Sequence, residues 1–198
     1  HREPTPNEDG IFDHFATVAS EVDIPIVLQD HPISTQVHMS LDLVLRMVED
    51  IESVACIKQE AVPSPARVAA LDSGMSRRLP ILTGLGALYG AFELQQGADG
   101  FMTGFAFPEV LQAMVAATEA GDLDTVFTIY TRYLPLMVFE GQPGVAVRKD
   151  IFRMRGLMSS STVRKPAASI TDNARTLLED IISRVVGNAD ITTPLEIE

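Results

Sequence analysis

Val54-Ala55-Cys56-Ile57-Lys58-Gln59-Glu60 is the stretch from which the rest of the chain is read, a short apolar run that ends in an amine followed by a carboxylate. The run reads as a buried strand of the kind found in parallel sheets. An amine placed where such a strand emerges can be held in a dry pocket, where desolvation favours its neutral, nucleophilic form. The plain alternative is a solvated lysine at a strand end. The residues around Lys58 decide between the two.

Outward from this strand, helical and strand-like segments alternate with short connections, the pattern of βα units around a parallel sheet. Residues 7–22 place Ile11, Phe12, Phe15, Val18 and Ala19 at helical spacing behind a candidate N-cap, Asn7. Residues 24–28 read as a strand with Pro25 near its start, and Ser40 caps a helix striped by Leu41, Val44, Leu45 and Val48. After Lys58, residues 66–73 read as helix, 79–83 as strand, 87–95 as helix and 101–103 as a fourth strand. From Glu109 the pattern is wholly helical: residues 109–120, 123–139, 145–155 and 172–186, with Pro135 expected to bend or break the second. Residues 187–198 read as a polar tail beyond the last packed helix.

With 198 residues and 46% hydrophobic content, the chain can bury one substantial core. A formal charge of −12 disfavours nucleic acid as a partner, because phosphate binding depends on clustered Lys and Arg. No apolar stretch reaches the roughly 18 residues that span a bilayer, so no membrane partner is expected. A single cysteine, Cys56, cannot form an intrachain disulfide, and with no signal pattern the expectation is a cytoplasmic protein. Neither an HExxH nor a paired-cysteine ligand set occurs, and no metal or other cofactor is expected.

The expected fold class is α/β, and the four βα units are half the number that closes a (β/α)8 barrel. A closed barrel takes about 250 residues, and half of one leaves two raw strand edges, so another segment or a second half must complete it. The opening His1-Arg2-Glu3-Pro4-Thr5-Pro6 reads as a loop with no upstream element, the mark of a piece of a longer chain. Residues 1–108 are read as the half-barrel, 109–186 as the last barrel helix and a helical region, and 187–198 as the tail.

A barrel keeps its chemistry on the loops that follow its strands. Here these carry Gln29-Asp30-His31-Pro32, Lys58-Gln59-Glu60, Gly84-Leu85-Gly86 and Gly104-Phe105-Ala106. The ordered set resembles the dihydrodipicolinate synthase / N-acetylneuraminate lyase family, whose second half runs Tyr-Asn-x-Pro, Ile-Lys-Glu, Ser-Gly-Asp, then Gly-x-Gly, strand and Ser. Supporting matches are Ile24-Pro25, Ile57-Lys58, Thr83-Gly84, the run from Gly97 to Thr103, Pro108-Glu109, Ala120-Gly121-Asp122, Lys149, Gly156-Leu157 and Arg164-x-Pro166. Together they cover the chain from about Thr5 to Val186, and the resemblance implies that the four βα units are the second half of the (β/α)8 barrel.

The resemblance implies a class I lyase or aldolase in which Lys58 attacks the keto carbon of pyruvate or another 2-oxo acid, and the iminium stabilises the neighbouring carbanion as an enamine. It implies a small-molecule 2-oxo acid or aldehyde as substrate and a homo-oligomer built through the helical region. The first half of the family's barrel normally supplies the loop that binds the substrate carboxylate, and these residues do not contain it. Gln29 stands at the family's tyrosine, and an amide cannot pass protons as a phenol does. Asp30 and His31 are the nearby candidates for that relay, against a plain reading in which Asp30 caps a turn and His31 packs beside Pro32. Residues 33–36 lack the arginine that dihydrodipicolinate synthases use for a second carboxylate, so that reaction is not the first expectation. Glu60, Gly84, Gly86, Thr103, Gly104 and Phe105 are the expected pocket residues. Glu60 reads equally as a solvated loop residue, the glycines as a turn, and Phe105 with Phe107 as core. The alternative to an enzyme is a degenerate member that binds a small oxo acid or serves only structure.

Overall fold

Pro25 and Pro80 decide where two of the strands begin, because a proline has no N–H to give to a ladder. In the computed structural model, which describes residues 6–142 and 144–197, the elements in chain order are α1 (Glu8–Ser20), β1 (Ile26–Asp30), α2 (Pro32–Thr35), α3 (Leu41–Asp50), β2 (Val54–Gln59) and α4 (Ser64–Gly74). There follow β3 (Ile81–Thr83), α5 (Gly90–Gln95), β4 (Gly100–Phe101), α6 (Pro108–Glu119), α7 (Leu123–Gly141), α8 (Val145–Met154) and α9 (Asp172–Val186). The loop expected at the start of the chain lies, except for Pro6, outside the described residues. Among the described residues no helix is long and apolar enough to cross a membrane.

The strand expected at residues 24–28 in fact starts after Pro25 and continues to Asp30, and the one expected at 79–83 starts after Pro80. Pro80 still contributes its carbonyl, which accepts from the Ile57 N–H at 2.9 Å. Gln29 and Asp30, expected in a loop, stay in the strand because they remain paired with Lys58 and Gln59. The fourth strand ends two residues earlier than its expected Thr103. Both expected caps form: Asn7 Oδ1 accepts from the Gly10 N–H at 2.9 Å, and Ser40 Oγ from the Leu43 N–H at 3.1 Å. Pro32, at the first position of α2, begins a short helix that the sequence reading did not include.

The chain divides into two compact units, the first holding the described residues through Gly84 together with Phe92–Met102, the second Leu85–Ala91 and the described residues from Thr103 onward. The first is an α/β unit whose four-stranded sheet runs β1-β2-β3-β4, every neighbouring pair parallel. Residues paired across parallel strands share a face. Leu28, Ile57 and Ile81 are paired in this way and wholly buried, in one core with Val44, Met47, Val48, Val68 and Leu71 from α3 and α4. Each such side chain contributes roughly 2 kcal/mol by leaving water, which fixes that face against the helices. Gln29, Lys58 and Leu82 occupy the opposite face.

The second unit is built on α7, which contacts α6, α8 and α9. Pro135 lies within α7 without ending it, because Tyr133, Leu136 and Met137 on either side are buried. The helix expected from residue 87 starts only at Gly90, since Leu85, Gly86 and Ala87 all have positive φ, of 50°, 69° and 60°. Two non-glycine residues in that region cost about 1–2 kcal/mol each. The Gly86 N–H donates to Thr103 Oγ1 at 2.8 Å and the Tyr130 hydroxyl to the Leu88 carbonyl at 2.6 Å, which hold the turn. The final segment is not a tail beyond the packed helices. Leu195 is buried, its N–H donates to Glu109 Oε1 at 3.1 Å, and Arg155 Nε donates to the Ile191 carbonyl at 3.1 Å.

Candidate functional site

The face of the sheet opposite the helix-packed core carries the amine. Lys58 is paired with Gln29 on one side and Leu82 on the other, and two residues on, Glu60 brings a carboxylate to the same end of β2. Lys58 Nζ lies 3.5 Å from Glu60 Oε2, with the two side chains 19% and 7% exposed. Gln29 Nε2 donates to the same carboxylate oxygen at 2.5 Å. Glu60 is therefore buried between an ammonium and an amide and is not the solvated loop residue of the plain reading.

Gly84 makes the room for it. A Cβ at that position would stand 1.8 Å from Glu60 Oε1 and 2.3 Å from Cδ. No side chain larger than hydrogen coexists with the carboxylate where it is, so the glycine after β3 and the acid after β2 fit as a pair.

Asp30 lies on the other face, paired in register with Gln59, and the structure does not bring it to the amine. Its buried carboxylate meets Arg67 Nη2 of α4 at 2.8 Å. Burial raises its pKa, and the charge and hydrogen bond of Arg67 partly offset the rise. Asp30 thus neither caps a turn nor faces Lys58. His31 occupies the position before α2, its Nδ1 2.8 Å from Ser34 Oγ.

On the same far face, Ser64 Oγ donates to Glu93 Oε1 of α5. Burial raises the Glu93 pKa, with Ser64 and Thr83 lowering it and the charge of Glu60 adding to the rise. An acid with a raised folded-state pKa binds more protons folded than unfolded. The stability it contributes is complete below its unfolded pKa and is lost as pH rises through the folded one. We expect Glu93→Gln, which keeps an acceptor for Ser64, to reduce this loss, so that denaturant unfolding compared at about pH 5 and about pH 8 differs less in the variant than in the parent. An unchanged pH difference would exclude Glu93 as its source.

The remaining expected pocket residues belong to the second unit. Thr103 Oγ1 accepts from Gly86, as described above. Gly104 lies under Arg148, whose Cζ would be 2.1 Å from a Cβ there. Phe105 and Phe107 are buried, their ring centroids 6.1 Å apart. The arginines of α8 and its C-cap are ion-paired, Arg148 to Glu140, Arg153 to Asp150 and Arg155 to Glu109. The sequence reading missed Arg67, Glu93 and Glu140, each a charged residue on a helix whose apolar neighbours carry its pattern. Among the described residues no group of three or more His, Cys, Asp or Glu side chains is placed to hold a metal ion.

Residues 4–185 match the sequence profile of the Dihydrodipicolinate synthetase family. The chain is 30% identical over 191 residues to the L-2-keto-3-deoxyarabonate dehydratase of Azospirillum brasilense, covering 90% of this chain and 58% of the relative. It is 29% identical to the 4-hydroxy-tetrahydrodipicolinate synthase of Chlorobium limicola, over 90% of this chain and 60% of that one. The crystal structure of dihydrodipicolinate synthase from Rhodopseudomonas palustris superimposes with a TM-score of 0.86 at 36% identity, over 90% of this chain and 62% of that chain. The chain thus spans about three fifths of the length of the relatives it matches.

Proposed function

We propose, starting from the fact that this chain belongs to the Dihydrodipicolinate synthetase family, that it is a Schiff-base lyase or aldolase acting on pyruvate or another 2-oxo acid, with Lys58 as the amine that captures the keto carbon. The observation that carries the reading is the position of Lys58: at the end of β2, on the face turned away from the helix-packed core, mostly buried and 3.5 Å from a buried carboxylate. Attack of the amine on C2 and loss of water give an iminium, which acidifies C3 and yields an enamine. The enamine can add to an aldehyde, arise by cleavage of the C3–C4 bond, or expel a hydroxyl from C4 as water. Identity to a 2-keto-3-deoxy acid dehydratase supports elimination of water as a net outcome. Gln29 and the sequence Ile33-Ser34-Thr35-Gln36, without a phenol or an arginine, argue against a true dihydrodipicolinate synthase.

The four parallel strands in chain order, and the share of its relatives that the chain spans, support reading it as the second half of a (β/α)8 barrel. In that reading residues 1–108 supply the barrel strands and 109–186 the closing helices. Strands that complete the barrel, and the anchor for the substrate carboxylate, then come from another stretch of polypeptide.

Incubation of the full-length protein with pyruvate and sodium borohydride, followed by digestion and peptide mapping, is expected to give a reduced adduct on the peptide containing Lys58. Absence of any adduct across a panel of 2-oxo acids would sink the reading. It would leave the second one, a member that has lost catalysis, which the amide at position 29 favours.

A further inference from the structure

We propose that Glu60 is the proton-transfer group of this site, carrying the protons that a phenol at position 29 would move and that Gln29 cannot. The proposal rests on the Schiff-base reading of Lys58. An amide has no ionisation near neutral pH, whereas a carboxylate takes and returns a proton readily. The imine carbon forms one bond beyond Nζ and C3 lies one bond further. A carboxylate oxygen 3.5 Å from Nζ is within reach of both the carbinolamine hydroxyl and a C3 proton.

Three independent features hold the carboxylate there. Gln29 Nε2 fixes Oε2 at 2.5 Å, the absent Cβ of Gly84 leaves space for Oε1, and the residue is only 5% exposed. Burying a carboxylate is costly unless it is paired. A residue that merely followed a strand would turn to water instead. The amide at position 29 then has a role of its own as a positioning residue, fixing the oxygen that works on the substrate.

Glu60 takes one proton from the Lys58 ammonium, and the neutral amine adds to C2 of the 2-oxo acid. The second nitrogen proton passes to the C2 oxygen to give the neutral carbinolamine, and Glu60 returns its proton to that hydroxyl, which leaves as water and gives the N-protonated iminium and a carboxylate. Glu60 then takes a C3 proton, and the electron pair of that bond forms the enamine. Reversal in D2O places deuterium on C3, and hydrolysis returns labelled 2-oxo acid and free Lys58.

The test separates capture from proton transfer, using pyruvate as the probe. Glu60→Gln in the full-length protein is expected to form the borohydride adduct on Lys58 more slowly but to the parent's extent on long incubation, while exchange of pyruvate C3 protons with D2O, followed by NMR, falls about 100-fold or more. An adduct with undiminished exchange in that variant overturns the assignment to Glu60 and leaves Lys58 untouched. No adduct in the unsubstituted protein overturns the Schiff-base reading and the proposal with it. Should Glu60→Gln fail to fold, Gly84→Ala carries the test, because its Cβ displaces the carboxylate without removing it. Retained adduct with exchange reduced supports the proposal, and exchange at the parent rate overturns it.

Discussion

Lys58→Arg is expected to leave a folded protein that yields no borohydride-stable adduct, with turnover reduced on the order of 10^4-fold or more. The substitution keeps a positive charge beside Glu60, so the ion pair at 3.5 Å has a counterpart and the sheet face keeps its electrostatics. A guanidinium, however, does not lose its proton in a protein and cannot add to a carbonyl. Nucleophile and counter-ion are thereby separated in one change. Lys58→Met makes the complementary comparison: it removes both roles, and the buried carboxylate that loses its cation makes the variant less stable than the arginine one by about 1–3 kcal/mol. Circular dichroism and denaturant unfolding check the fold, and mass mapping checks the amine. The chain's other lysines are Lys149 and Lys165. An adduct that survives Lys58→Arg and maps to either of them sinks the assignment.

The place of Lys58 near the end of a strand was legible because its signal is local: an apolar run ends and an amine follows. The caps at Asn7 and Ser40 and the bounds of α9 were legible for the same reason, since a cap and its turn lie within one stretch of chain. Whether Glu60, an expected pocket residue, is buried or solvated was not legible, because it depends on a side chain that Gly84 lacks just after the neighbouring strand. Asp30 looked like a loop residue next to the amine for want of two long-range facts. Its pairing with Gln59 keeps it in the strand on the other face, and its partner Arg67 stands 37 residues away on α4. The same limit hid the fate of the final residues, whose composition is that of a tail but whose backbone is held by Glu109 and Arg155. Periodicity reports which residues are apolar on a face. It does not report which charged residues that face has taken in with them.

Arg148→Met is the substitution expected to cost the fold most, about 3–5 kcal/mol, or a fall in Tm of roughly 6–20 °C. Glu140 is almost wholly buried within the second unit. It accepts from Arg148 Nε at 2.6 Å and from the Ala106 N–H at 2.9 Å. Arg148 Nη2 also donates to the Gly104 carbonyl at 2.8 Å, and its guanidinium occupies the space where a Cβ of residue 104 would stand. Removing the arginine leaves a buried carboxylate held by one backbone N–H and leaves the turn at residue 104 without its support. Burial already raises the Glu140 pKa, and the hydrogen bond and charge of Arg148, with the Ala106 N–H between them in weight, hold it down. Without the arginine the pKa rises further. A raised acid is stabilising below its unfolded pKa and loses that contribution as pH rises through the folded one. The deficit of the variant is therefore smaller at about pH 5 than at about pH 8. Adding Glu140→Gln removes the charge that has lost its partner, so the double variant is expected to recover part of the loss at the higher pH and little at the lower. A cost below about 1 kcal/mol, or a deficit that does not change with pH, would mean that Glu140 is neutral or solvated in the folded protein and that the Arg148 pair contributes no more than an exposed one.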